Sequence, residues 1–594
     1  IGNPGHQTKT ENLRVDLDWK VTPDHDVKFG IDNVQYRDDD DGTSILGGGA
    51  YNYVIGAPSS FSNAPFAGNP GGGNYVVETL VQQNVTIAAR QKAQYVEDRW
   101  QVTPNLLLDL GVRNDQFSNL GPADVAYVKE TSPQWAPRLG FSWDVFGDST
   151  MKVFGNAGRY YLALPAGLAA RNSAFGSING TIVGTYKSID ANGLPVGFTP
   201  LPLTNQAPGT PQGYFSSDGE NGVPGNIKDY ASTNLKPQYQ DEYVLGFQKQ
   251  LGDTGLVFGS QATYEKAGNL VDDTDVCVSA AGTTGTDGCP NGGSGYVIAG
   301  LVNPGKTNYI PQPGGPITWN PNTGAGVYTQ GQPFIVFPQP SRKYYALDTY
   351  LEHTWDGKWF GKIDYLFSKS YGSTEGPTDT AIGQITNSTN GGFSGSTTAQ
   401  WDFPDLMQYA NGDQANDHRH TLKAFGSYAI SPEWIASATL IMQSGAPNVC
   451  LSGFGDTIFA DAYNGPYQHY CGGVPSGIST HTVIDPVTLQ PVPVGYGGLP
   501  SPPGDSGRTP WTHQLNLSIT YTPDWAHKHL TLQAEVHNVL NEQKATLYYT
   551  QYAIGNGGGA GGGNSGTFLY NPVYHTAEST EAPRYMEFNV KYDF

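Results

Sequence analysis

Cysteines are the first residues in this chain whose spacing suggests covalent chemistry. They fall in two close pairs, Cys277/Cys289 and Cys450/Cys471, each in a polar, glycine-rich segment. The expected arrangement is two local disulfides, which require an oxidising compartment. Four cysteines allow three connectivities, and four free thiols are the plainer alternative. His418-Arg419-His420 puts two imidazoles on one face of a strand, formally a metal-binding spacing, although structural hydrogen bonding is the stronger expectation. Asp38-Asp39-Asp40-Asp41-Gly42 and Asp272-Asp273-Thr274-Asp275 gather carboxylates of the kind Ca²⁺ takes. A consecutive run makes a poor coordination loop, so solvated acidic caps are expected and no cofactor is assigned. The glycine-rich runs follow no strand–helix junction, which rejects a phosphate loop. No combination of nucleophile, acid and base stands out, so an enzyme is not expected.

The elements that position these residues are strands. In Leu13, Val15, Leu17, Trp19 and Val21 the apolar side chains alternate with Arg14, Asp16, Asp18 and Lys20. Leu106, Leu108, Leu110 and Val112 alternate with Asp109, Gly111 and Arg113; Leu139, Phe141, Trp143 and Val145 alternate with Arg138, Ser142 and Asp144. Near the other end Leu515, Leu517 and Ile519 oppose Asn516 and Ser518, and Phe588, Val590, Tyr592 and Phe594 oppose Glu587, Asn589, Lys591 and Asp593. A period of two over ten or more residues describes a long strand with one apolar face. About fifteen are expected, near 9–21, 26–38, 89–103, 105–118, 134–146, 150–163, 239–251, 254–268, 341–355, 358–372, 416–430, 433–446, 510–523, 528–541 and 583–594.

Their links alternate strictly between tight and long. Thr22-Pro23-Asp24, Thr103-Pro104-Asn105, Gly147-Asp148-Ser149, Gly252-Asp253-Thr254, Asp356-Gly357, Ser431-Pro432-Glu433 and Pro523-Asp524 are all turn sequences. The other links are long and rich in Gly, Pro, Ser, Asn and Tyr. A sandwich does not gather every long loop at one strand end, whereas a transmembrane barrel does. Strands can span hydrocarbon only as a closed sheet, because no water is there to bond free backbone groups. Trp19, Trp100, Trp143, Trp355, Trp359, Trp434, Trp511 and Trp525 are expected near the short-turn ends, at a membrane interface.

Composition agrees. The chain has 594 residues, 32 basic against 53 acidic, a net charge of −21 and 12% aromatics. An acidic surface argues against nucleic acid, and the aromatic content argues against disorder. No apolar run is long enough for a spanning helix. Both cysteine pairs fall in long links on one side of the sheet. Arg14, Lys20, Arg113 and Arg138 fall on the polar face, where they line a pathway, dock an inner domain or simply hydrate a wide lumen.

The segments "AQYVEDRWQVTPNLLLDLGVRND", "WAPRLGFSWDVFGDSTMKVFGNAGRYY", "LKPQYQDEYVLGFQKQL", "RKYYALDTYLEHTW", "DHRHTLKAFGSYAIS" and "RTPWTHQLNLSITYTP" resemble, in this order, barrel segments of TonB-dependent outer-membrane receptors of the Oar-like branch. The closing "MEFNVKYDF" is similar to the C-terminal strand signal that outer-membrane proteins present to the barrel assembly machinery, with Phe588, Val590, Tyr592 and Phe594 as its apolar positions. The resemblance implies an all-β, antiparallel transmembrane β-barrel in the bacterial outer membrane, with long loops outside and the C-terminus in the periplasm. It further implies 22 strands around an N-terminal plug that contacts TonB. No plug-like segment or TonB-contacting motif is recognisable before the first strand. Fifteen strands counted back from strand 22 begin at strand 8, an even strand that runs downward as the first one here must. All 594 residues are therefore expected to be barrel, with the plug and first seven strands outside the chain. The implied activity is capture of a ligand by the outer loops and its energised import. A passive porin and a barrel-anchored adhesion or secretion protein are the rival readings, and the ligand itself is not legible.

Overall fold

The computed structural model describes residues 6–41, 44–45, 50–55, 74–82, 85–121, 124–164, 178–203, 211–215, 231–284, 293–309, 316–320, 325–329, 334–335, 339–376, 407, 409–451, 469–471, 481–484, 491–494, 499–550, 552–555, 568–570 and 572–594. Fifteen long strands form its wall: β1 (Gln7–Lys20), β2 (His25–Asp41), β3 (Val85–Thr103), β4 (Leu106–Leu120), β5 (Trp135–Asp144), β6 (Met151–Tyr161), β7 (Tyr239–Gln250) and β8 (Leu256–Gly268). They continue with β9 (Arg342–His353), β10 (Trp359–Gly372), β11 (His420–Ser431), β12 (Trp434–Gln443), β13 (Thr512–Tyr521), β14 (Leu530–His537) and β15 (Tyr585–Tyr592). Each pairs antiparallel with its chain neighbour, the simplest topology a barrel wall can have. All fifteen coincide with the segments read from periodicity, with ends differing by a few residues where ladders fray.

Register fixes the faces. Leu17 sits opposite Phe29, Leu108 opposite Phe141, Ala438 opposite Leu517, and Ala534 opposite Phe588. Cross-strand neighbours share a face, so these rows join into one continuous apolar surface. Asp16, Asp109, Asp144, Asn516 and Glu587 lie on the opposite, lumen face. Leu13, Leu17, Trp19, Leu139, Leu245, Ile363, Phe588 and Val590 are each more than 50% exposed. A surface that apolar is untenable in water and is what lipid covers. Outward apolar positions run eight or so residues along each strand, a height of about 20–25 Å for tilted strands.

Tight turns close one end. Asp144 accepts hydrogen bonds from the amides of Gly147 (3.0 Å) and Ser149 (2.8 Å). Asp356 accepts from Lys358 (2.7 Å) and Trp359 (2.9 Å) beside Gly357, whose φ of 92° needs a residue without Cβ. Trp19, Trp100, Trp143, Trp355, Trp359, Trp434 and Trp525 lie toward this end as expected. Trp511 does not: it precedes β13 at the long-link end, stacked 6.0 Å from His420. Trp135 begins β5 at that same level. The aromatic belt therefore has two girdles, one at each interface, as an apolar band between two polar layers requires.

Among the described residues β1 pairs only with β2 and β15 only with β14, so the sheet has two free edges and is not closed. Above the wall, the first and third long links pair through Tyr75–Gln82 and Ile178–Thr185, with Leu80, Ile182 and Tyr214 packed between them.

Candidate functional site

A barrel offers two functional surfaces, its lumen and the rim where the long links meet. Lumen-facing side chains come from alternate positions of every strand, and here they are polar and mutually engaged. Arg14 contacts Asp16 at 2.9 Å, and the Tyr95 hydroxyl also donates to Asp16. Arg113 bridges Asp32 (3.1 Å) and Asp115 (2.8 Å). Arg138 lies 4.7 Å over the Tyr160 ring, and Lys362 lies 4.1 Å over Tyr350. Glu242 accepts from Asn156 and Glu265 from Gln240, at 2.9 and 2.6 Å. Toward the tight-turn end a recess of about 420 Å³ is lined by Asn105, Ser142, Asp144, Lys152, Gln248 and Gln250. Such a surface offers paired donors and acceptors to whatever lies against it.

At the long-link rim, two knots tie distant links together. The first holds the ends of β10 to β13. Arg508 donates to Asp413 (2.7 Å), to the Asp417 carboxylate (2.5 Å) and to the carbonyls of Asp417 (2.6 Å) and Gly445 (3.1 Å). Arg419 reaches the same two carboxylates at 3.0 and 2.9 Å, and the amide of Ser370 donates to Asp417 at 2.7 Å. The Asp417 side chain is wholly buried, so two arginines compensate what burial of a lone carboxylate would cost. Cys450 and Cys471 are bonded just above. Leu451 donates to Thr550 (2.9 Å) and accepts from Tyr552 (2.7 Å), which joins the last link to this knot. His469 is buried beside the disulfide with Nδ1 unpartnered, and burial pushes its pKa down to about 4.

The second knot joins the links after β4, β6 and β8. Tyr127, Val128, Leu164, Ala231, Val271 and Leu301 form its apolar cluster. Asn303, 1% exposed, pins it: its side chain donates to the carbonyls of Lys236 (3.0 Å), Asn269 (3.2 Å) and Leu270 (3.2 Å) and accepts from the Lys236 amide (2.6 Å). Glu130 lies buried nearby on the link after β4, both carboxylate oxygens unpartnered, and burial pushes it up to about 7.

The sequence-derived candidates separate accordingly. Cys450–Cys471 is a disulfide, whereas the expected Cys277–Cys289 pair lies outside the described residues. His418 and His420 do not share a site: the His418 Nδ1–H donates to the carbonyl of Ser444 (2.7 Å), while His420 Nδ1 sits 2.8 Å from the Tyr365 hydroxyl. Among the described residues no group of three or more His, Cys, Asp or Glu could hold a metal ion. Asp38 contacts His6 (2.7 Å) and Asp39 contacts Lys9 (3.1 Å), so this end of the acidic run is an ion-paired cap. Asp413, Arg508 and Asn303 had no signal in the sequence, being polar residues among polar residues.

The family model described as an outer membrane beta barrel domain matches residues 2–123 and 116–559. The TonB-dependent transporter Oar of Myxococcus xanthus is 23% identical over 454 residues, covering 72% of this chain and 37% of that protein. Two solved structures that match are the outer membrane transporter YddB from Escherichia coli (13% identity, TM-score 0.49, 99% of this chain and 55% of that one) and the siderophore receptor PiuA from Acinetobacter baumannii (11%, 0.44, 99% and 56%). The chain thus spans well under two thirds of the length of each. With the family model matched over most of its length and the wall it describes built strand by strand, the chain belongs to the outer membrane beta barrel domain family.

Proposed function

We propose that this chain is the wall and ligand-gathering rim of an outer-membrane transporter of the TonB-dependent kind. The observation that carries the reading is the similarity to a TonB-dependent transporter over 454 residues, 72% of this chain. The polar, ion-paired lumen face supports it, as does the knotting together of the described parts of the long links. The long links face outward and take the ligand; the C-terminus lies in the periplasm. Two free sheet edges cannot stand in hydrocarbon, so further strands close the wall between β15 and β1. With a 22-strand pattern the number is seven, and a plug inside them contacts TonB. Phe588, Val590, Tyr592 and Phe594 form one outward apolar row at the last edge, the surface offered to the barrel assembly machinery.

The test is transport by the full-length protein in its own outer membrane. Uptake of the nutrient whose import is lost when the gene is deleted should require TonB and the membrane potential. Steady ion conductance of the intact protein without TonB would instead make it a porin. Unchanged uptake together with a lost adhesion or secretion phenotype would make the barrel an anchor.

A further inference from the structure

We infer that the second knot carries a site for a doubly charged oxyanion, such as a phosphate monoester on the captured ligand, formed by Lys236 and Lys306. The two lysines come from different long links. Lys236 lies on the link that enters β7, and Lys306 on the link that leaves β8. Asn303 brings them together: its side chain accepts from the Lys236 amide (2.6 Å) and donates to the Lys236 carbonyl (3.0 Å), while its own carbonyl accepts from the Lys306 amide (3.2 Å). Asn269, just past the end of β8, joins the same two segments. Its side-chain amide donates to the Pro237 carbonyl (3.2 Å), and its Oδ1 accepts from the Lys306 Nζ. Gly305 makes the turn that presents Lys306. Its φ is 74°, and a Cβ there would run into the backbone of Gln339. The site is therefore built before any ligand arrives, largely by contacts to the main chain.

The charges it gathers are unmatched. Lys306 donates to a neutral amide oxygen, and among the described residues neither lysine forms an ion pair with a carboxylate. Burial, together with the charge of Lys236, holds the Lys306 ammonium below the usual lysine range. The two cations are thus near enough to repel. Elsewhere at the long-link end cations are matched: Arg159 with Asp241 (2.7 Å), Arg37 with Asp39 (2.7 Å), and Arg508 with Asp413 (2.7 Å). In a chain of 53 acidic against 32 basic residues, a lysine pair without an acid is not what composition supplies. Lys236 is exposed and Lys306 half-buried, so the pair is open to solvent on one side. An oxyanion between them removes the repulsion and accepts charge-assisted hydrogen bonds from both ammonium groups. Two positive charges suit an anion carrying two negative ones. The inference deepens the function proposed above, on which it rests for the capture of a ligand at the rim.

The experiment is a calorimetric titration of the full-length, detergent-purified protein with inorganic phosphate at about pH 8, where phosphate is a dianion. Saturable binding is expected, with nitrate, a singly charged oxyanion, binding more weakly. Affinity for phosphate should fall about tenfold for Lys236→Gln and for Lys306→Gln. Lys236→Arg should stay within about threefold of the parent, and Lys187→Gln, away from the knot, should leave affinity unchanged. Lys236→Gln is the cleaner variant, because Asn303 holds the main chain of that residue and not its side chain. It decides the matter if Lys306→Gln loosens the knot, which faster amide exchange at Leu235 would report. Absence of saturable phosphate binding overturns the inference, as does unchanged affinity in Lys236→Gln or nitrate binding as tight as phosphate. The measurement needs neither TonB nor transport. A protein that binds phosphate in this way but takes up its nutrient without TonB overturns the transport reading alone.

Discussion

The two rim knots solve one problem with opposite chemistry. Both must join links that lie far apart in sequence, above a wall whose own ladders do not reach them. Around Arg508 the solution is ionic: two guanidinium groups and two carboxylates converge, and a disulfide locks the neighbouring link. Around Asn303 it is apolar burial pinned by one amide side chain. An ionic knot is strong only while every partner is present, because each buried charge relies on another. An apolar knot loses stability in proportion to what is removed and to the cavity left behind. Their responses to mutation, salt and pH should therefore diverge.

The largest divergence is expected at Arg508. Arg508→Met leaves Asp417 buried with one guanidinium and should loosen the first knot by about 3–5 kcal/mol, seen as faster amide hydrogen exchange at Asp413, Gln414 and Thr509 with no change at Leu235. Leu301→Ala should cost the second knot about 2–5 kcal/mol, with exchange rising at Leu235 and Ser232 and the first knot untouched. If either substitution loosens both knots, the rim is one cooperative unit and the comparison fails.

pH separates them further, with opposite sign. His469 is held below its ordinary value, so between about 6.5 and 4 the unfolded link binds more protons than the folded one. The first knot should lose stability as pH falls through that window. Glu130 is raised from 4.5 to about 7, so there the folded state binds more protons. The second knot should lose stability as pH rises from about 4.5 to 7. His469→Gln and Glu130→Gln should flatten the respective profiles in hydrogen exchange; a shared slope would remove the distinction. The smallest expected effect is from salt. Raising ionic strength should weaken the ion-paired cap of Lys9, Arg37 and Asp39 by about 1 kcal/mol or less, and leave Asn303 and its partners unmoved.

Legibility from sequence follows the same division. The wall was readable because a lipid-facing strand must alternate, as Leu515 to Ile519 does, and because a tight turn needs residues such as Asp356-Gly357. The pairing of Cys450 with Cys471 was readable from their closeness in sequence. The knots were not readable. Leu164, Val271 and Leu301 lie in links with no sustained period to report their burial, and Asn303 is one asparagine in a chain rich in them. "DHRH" signalled a special segment, but its histidines drew notice while Asp417 and Arg419 carry the contacts. Trp511 misled because the turn sequences fix only one girdle, and a tryptophan serves either interface. Long-range contacts between irregular links have no local signature.

The wall turns alternate residues to lipid, a geometry open to direct test. It is tested most directly by a fluorophore attached at single cysteines from Gln514 to Tyr521, in bilayers containing a lipid-chain quencher. Strong quenching at Leu515, Leu517 and Ile519, with little at Gln514, Asn516, Ser518 and Thr520, is the expected outcome. Uniform quenching along the segment, or the inverse alternation, would contradict a barrel wall with this register.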